Sequence, residues 1–112
     1  MKCGSFSPLA LRSELIATHK RGTIIHSETF SVKFLPSSKN KMAFIIRKKV
    51  GNSPERNLIK RRFREIIRNI PTGNTHIQCL IIAKRDTLSY PFNKLDHDTK
   101  RVFCKIFNQF DN

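Results

Sequence analysis

With 112 residues and a mass of 13.0 kDa, the chain has room for one domain, which buries somewhat under ~70% of its unfolded surface. A hydrophobic content of 38%, nine Phe and four Gly fit a folded globular protein and exclude a disordered polar tract. Twenty-two Lys plus Arg against eight Asp plus Glu leave a formal charge of +14 and a pI near 10.5. This charge points to a polyanionic partner, nucleic acid first. The three cysteines, Cys3, Cys79 and Cys104, are odd in number and contain no CxxC pair, against a disulfide framework or a Cys-rich zinc site. They read as free thiols in a reducing compartment. The N-terminus has no unbroken apolar stretch for export, and the longest apolar runs fall far short of the roughly 20 residues that cross a bilayer. A cytoplasmic protein with no membrane contact is expected, with residues 1–112 as one domain and 1–8 as a loose N-terminal segment.

In chain order, Pro8 to Lys20 is predicted as a short amphipathic helix with Leu11, Leu15 and His19 on one face, ended by Gly22. Thr29 to Leu35 alternates as a half-buried strand, with Phe30, Val32 and Phe34 on one side and Ser31 and Lys33 on the other. Lys41 to Ile46 is apolar on both faces, as a central strand is. Ser53-Pro54-Glu55 starts a helix with a hydroxyl cap, a proline in the first turn and an acid at the positive end. The helix runs to about Asn69, with Ile59, Phe63, Ile66, Ile67 and Ile70 as its core face and Pro71 and Gly73 as its stop. His76 to Ala83 reads as another buried strand. Ser89 is expected to cap a last helix whose apolar face comprises Phe92, Leu95, Thr99, Val102, Phe103, Ile106, Phe107 and Phe110. The order of helix, strands, helix, strand, helix predicts an α+β, two-layer sandwich.

The charge is concentrated. Between Arg47 and Arg68 stand nine cations and two acids, Glu55 and Glu65, which is half the net charge in a fifth of the length. On the middle helix Arg56, Lys60 and Arg64 repeat at i, i+4 and i+8, beside a row of Asn57, Arg61, Arg64 and Arg68. Like charges so spaced repel by a few tenths of a kcal/mol per pair, and a bound polyphosphate would remove that repulsion. A solvated helix face normally mixes signs. This one has few acids, and six of its nine cations are Arg, which is suited to bidentate phosphate contacts. Lys48 and Lys49 lead into the helix N-terminus, itself an anion site.

This stretch resembles the bacterial ribonuclease P protein subunits. The matching text is Ile46-Arg47-Lys48-Lys49-Val50-Gly51-Asn52, then Arg56-Asn57-Leu58-Ile59-Lys60-Arg61-Arg62-Phe63-Arg64-Glu65, against the family pattern KK-[VI]-G…RNR-x-KR-x-x-RE. Weaker agreement extends from about residue 11 to 110. The resemblance implies a mostly antiparallel sheet with one βαβ crossover. It also implies a protein that assists a catalytic RNA in removing the 5′ leader from precursor tRNA, with Mg²⁺ held by the RNA and no catalytic or metal-binding residue in the protein. Lys48, Lys49, Arg56, Asn57, Lys60, Arg61, Arg64 and Arg68 would face the catalytic RNA. Phe30 and Val32, with Lys33, would line a cleft for the single-stranded leader. The chain departs from the pattern at Leu58, which replaces the second Arg of RNR, and at Leu15, His19 and Lys33, which occupy positions that are often aromatic in the family.

Three rival readings are weaker. A ribosomal or other RNA-binding protein without a processing role fits the charge and fold class, but not the signature. A hydrolase in its own right needs converging carboxylates, and Asp96-His97-Asp98, the one acidic cluster, reads as a solvated helix face. DNA recognition lacks a helix-turn-helix pairing. Cys79 and Cys104 fall within apolar patterns and are expected in the core.

Overall fold

The computed structural model describes residues 6–72 and 75–110, the side chain of Phe110 excepted. Cys3, Gly73, residues 1–5 of the expected loose segment and the expected inward face of Phe110 lie outside the described part. The elements are β1 (Ser7–Pro8), α1 (Arg12–Arg21), β2 (Thr23–His26), β3 (Phe30–Pro36), β4 (Lys41–Ile45), α2 (Ser53–Arg68), β5 (Ile77–Ala83) and α3 (Phe92–Phe110), with single 3₁₀ turns at Lys48–Val50 and Thr87–Ser89. One sheet of order β1-β4-β5-β3-β2 joins all five strands.

The expected crossover is β4-α2-β5, whose strands pair in parallel from Lys41 opposite Gln78 to Ile45 opposite Ile82. β3 pairs antiparallel with β5 and β2. The strand at Ser7–Pro8 adds a second parallel pairing, to β4, so the sheet is mixed rather than mostly antiparallel by strand pair. This strand lies in the segment expected to be loose. Its pairing is reinforced by buried Leu9, whose N–H donates to the Met42 carbonyl, and by Phe6, which packs edge-on against Phe103. β5, not β4, is the central strand, with long partners on both sides.

Period-2 alternation divides the sheet into two unlike faces. Phe30, Val32 and Phe34 of β3, Met42 of β4 and Cys79 and Ile81 of β5 meet the apolar stripes of α2 and α3 in a single core. From α2 come Ile59, Phe63, Ile66 and Ile67; from α3 come Leu95, Val102, Phe103, Ile106 and Phe107. Phe63 lies edge-to-face on Phe30 at 5.0 Å and tilts against Phe44 at 6.2 Å. The other face carries α1, a partial third layer beside the expected two. Its inward side is polar: Thr18, not Leu11 or His19, is buried there. Gln78 donates to Thr18 Oγ1 at 2.7 Å, and Lys41 donates to the Glu14 carboxylate at 2.9 Å.

Local chemistry sets the helix ends. Asn52, one residue before the expected Ser53, caps α2: its side chain accepts from the Glu55 N–H while the Glu55 carboxylate accepts from the Asn52 N–H. Gly51 leaves room for that carboxylate, since a Cβ there would stand 3.0 Å from Glu55 Oε1. Gly22 is needed where α1 turns into β2, because a Cβ would meet the Thr18 carbonyl at 2.3 Å. α3 starts at Phe92, after the 3₁₀ turn that contains Ser89, and Phe92 is exposed.

Two expectations on α3 are corrected. Asp98 is buried rather than solvated, because Thr29 Oγ1 donates to it at 3.0 Å from the β2–β3 turn. Cys104 is exposed, since Phe103 and Phe107 take the inward positions and the next residue is rotated about 100° away. Cys79 is a core residue as expected, and burial pushes its thiol up in pKa. A neutral thiol is a poor nucleophile. At pH 8.5, iodoacetamide should therefore label Cys104 readily and Cys79 only after denaturation, as read by peptide mass spectrometry.

Candidate nucleic-acid interface

The outer side of α2 is built by the same periodicity that buries its inner side. With Ile59, Phe63, Ile66 and Ile67 fixed in the core, 3.6 residues per turn bring Asn57, Arg61, Arg64 and Arg68 out to solvent on one face, with half-buried Lys60 and Arg56 at its border. Among the described residues, the recorded ion pairs involve Lys41, Lys94, Lys100 and Arg101, and none of the cations from Arg47 to Arg68 takes part. The face thus keeps its full positive charge. Two of the arginines are positioned by the protein itself. Arg56 donates through Nη1 to the Gly51 carbonyl at 2.9 Å and through Nη2 to Ser53 Oγ at 3.0 Å, bracing the start of the helix. Arg64 holds its guanidinium 5.4 Å above the Phe44 ring centroid.

A second concave surface lies on the opposite face of the sheet, under α1. Its apolar end is formed by Leu15, Ile16, Ile45 and Leu80, with His19 and Lys20 at the rim. It continues past His19 and Ile45 to a basic end with Arg47, Lys49, Lys84 and Arg85. Lys33 stands on this side of the sheet, and its ammonium donates to the His19 carbonyl at 2.9 Å, in the last turn of α1, where the helix dipole favours a cation.

The residues expected from the sequence divide accordingly. Asn57, Lys60, Arg61, Arg64 and Arg68 share one surface. Arg56 borders it with its guanidinium already engaged, and Lys48 and Lys49 are exposed on the turn before α2, with Lys49 facing the α1 cleft. Phe30 and Val32 do not line a cleft: both are fully buried against α2 and α3. Alternation puts Lys33 on the other face from these two, so the three never share a surface. The cleft instead uses Leu15, His19, Ile45, Leu80 and Ile82. Leu80 and Ile82 had a signal in the sequence, since β5 is apolar at odd and even positions alike and such a strand has two covered faces.

The family model for ribonuclease P matches residues 7–106. The chain belongs to the ribonuclease P protein family. A ribonuclease P protein component from Finegoldia magna is 33% identical over 98 residues, covering 86% of this chain and 87% of that protein. A ribonuclease P protein component from Thermus thermophilus is 31% identical over 77% of this chain, which spans 52% of that longer protein. Among solved structures, the Staphylococcus aureus RNase P protein superposes with a TM-score of 0.77 at 17% identity, covering 91% of this chain and 96% of that one, a likeness of fold. These matches make the chain a ribonuclease P protein component and its partner the RNA of that enzyme. Among the described residues, no helix is long and apolar enough to cross a membrane.

The corrected placement of Phe30 has a direct test. Phe30→Leu removes the ring that packs on Phe63 and should lower stability by about 1–3 kcal/mol. The ratio of affinities for precursor and mature tRNA in the reconstituted complex should not change. Chemical denaturation and paired binding titrations measure the two effects separately.

Proposed function

We propose that this ribonuclease P protein binds the catalytic RNA through the outer face of α2 and receives the single-stranded 5′ leader of precursor tRNA in the cleft under α1. Hydrolysis belongs to the RNA. The observation that carries this reading is the uncompensated row of Lys60, Arg61, Arg64 and Arg68 on a helix whose other side is locked in the core. Its one matching partner is a polyphosphate surface of fixed shape. The cleft has different chemistry, with an apolar floor at Ile45 and Leu80 and a basic mouth at Arg47, Lys49, Lys84 and Arg85. It suits a strand whose unpaired bases need a dry surface and whose phosphates need cations.

Mg²⁺ fits the RNA better than the protein. Among the described residues, no three His, Cys, Asp or Glu side chains come together to hold a metal ion, Asp98 is occupied by Thr29 and Glu14 by Lys41. The protein alone should cleave nothing. Its contribution is to reduce the phosphate repulsion between RNA and substrate that otherwise demands more divalent ion. Work in the cytoplasm, where precursor tRNA is made, and a preference for RNA over DNA accompany this role. α2 follows a strand and one 3₁₀ turn rather than a partner helix, unlike a helix-turn-helix reader. A structural RNA-binding role without processing fits the charge but not the family.

Reconstitution with the host's own catalytic RNA tests the reading. At low Mg²⁺ the protein should restore leader removal, and protein without RNA should leave the precursor intact. Cleavage by the protein alone overturns the assignment of chemistry to the RNA. Arg61→Ala should weaken RNA binding and reduce the log–log salt slope by about 0.7–0.9, the loss of one phosphate contact, with an unchanged circular dichroism spectrum. An unaltered slope would remove α2 from the interface.

A further inference from the structure

The parallel strand β1 creates a feature beyond the basic face itself. It covers β4 only as far as Met42, and the chain then leaves through Leu9 and Ala10, so a groove opens between this N-terminal segment and α2. Its volume is about 340 Å³, with Phe6, Pro8 and Ala10 on one side, Lys60 and Arg64 on the other and Phe44 at its base. Beyond Phe6 it runs into a second hollow bounded by Arg61, Glu65 and Arg68. Glu65 is the one carboxylate among these lining residues. A slot with an apolar base, one apolar wall and one cationic wall suits a flat aromatic ring whose flanking phosphates lie along α2.

Within this groove Arg64 differs from its neighbours on α2. Phe44, itself held by Phe63, fixes the Arg64 guanidinium over its ring at 5.4 Å, whereas Arg61 and Arg68 have no aromatic partner among the described residues. A guanidinium pinned this way is a flat shelf as well as a charge, and a base can stack on its outer side. We infer that this groove is a binding site for one unpaired nucleotide of the RNA subunit, its base stacked on the Arg64–Phe44 shelf and its phosphates met by Lys60 and Arg68. Phe44, at the β4 edge, borders both this groove and the cleft under α1, and the nucleotide comes from the RNA subunit rather than the leader because the cations of the groove, Lys60 and Arg64, belong to the basic face of α2 and none of them lines the cleft. The inference rests on the α2 reading above.

The test separates charge from shelf. Arg64→Lys keeps the charge and removes the plane, and Arg61→Lys is the matched control. Each reconstituted complex is probed with base-specific reagents for nucleobase reactivity, and RNA affinity is measured across a salt series. Arg64→Lys should bind the RNA roughly tenfold more weakly at an unchanged salt slope, and one unpaired nucleotide protected by the wild-type protein should regain reactivity. Arg61→Lys should keep that protection. Phe44→Leu, which frees the guanidinium, should reproduce the Arg64→Lys pattern. Wild-type protection and affinity in Arg64→Lys would show that Arg64 acts as a point charge only and would overturn the shelf while leaving the α2 interface standing. Loss of the same protection in Arg61→Lys would overturn it equally, as general loosening of the contact. An unchanged salt slope in Arg61→Ala would instead remove the interface and the shelf together.

Discussion

Burial of the inner stripe of α2 is the interaction on which the rest of the molecule depends. The outer face repels itself by a few tenths of a kcal/mol per like-charged pair. The inner face buries Ile59, Phe63, Ile66 and Ile67, each contributing about 1.5–3 kcal/mol, and Asn52 and Glu55 close the first turn reciprocally. The apolar term is larger by several-fold, so the helix tolerates a row of cations that take part in none of the ion pairs among the described residues. The position of α2 in the β4-α2-β5 crossover makes the tolerance possible. Strands on both sides of the helix in sequence lie next to each other in the sheet, so the helix packs across the sheet with its charged side facing out.

The second surface depends on an opposite design. α1 buries little apolar side chain. It is held by polar contacts: Gln78 to Thr18, Lys41 to Glu14 and Lys33 to the His19 carbonyl. A helix with a full apolar stripe would settle onto Leu80 and Ile82 and close the gap. α1 is pinned by hydrogen bonds to the sheet and leaves space beside Leu15 and His19, so the cleft is a consequence of the weak apolar pattern of this helix. His19, expected on an apolar face, is exposed at the rim for the same reason.

How much could be read from the sequence follows from how local each cause is. α2 is legible in detail because its cap, its core stripe and its charge rows lie within one continuous segment, whereas the βαβ crossover is implied by the family resemblance. The shift of the cap from Ser53 to Asn52 needed only the reciprocal contact of Asn52 with Glu55. The cleft was not legible, because period 2 separates the two faces of β3 without saying which one receives two helices and which receives one. The expected cleft residues divide for this reason, with Phe30 and Val32 on the core face and Lys33 on the face under α1. β2 has a weak sequence signal because Ile24 and His26 are exposed, and its pairing with β3 supplies what the pattern lacks. The burial of Asp98 has a longer-range cause, since the hydroxyl that satisfies its carboxylate belongs to Thr29, 69 positions away.

The placement of the acids gives the positive charge a direction. Glu28 pairs with Lys94 at 2.9 Å, Lys94 and Arg101 both approach Asp98, and Asp96 pairs with Lys100. Asp86 and Glu28 act together on Tyr90, whose hydroxyl pKa is raised, chiefly by desolvation and then by these two charges. Four of the eight acids therefore lie at one corner, where the β2–β3 turn, the loop before α3 and the first turns of α3 meet. Cations there are answered locally. The surplus is left on α2 and at the mouth of the cleft, joined through Arg47, Lys48 and Lys49. A molecule of uniform charge would meet a polyanion in any orientation, whereas this distribution favours approach with α2 and the turn before it leading. The corner of acids adjoins the cleft mouth at Arg85 and Asp86, but its ion pairs are made by Lys94, Lys100 and Arg101 of α3, so they do not compete with phosphate for the cations of α2 and the mouth.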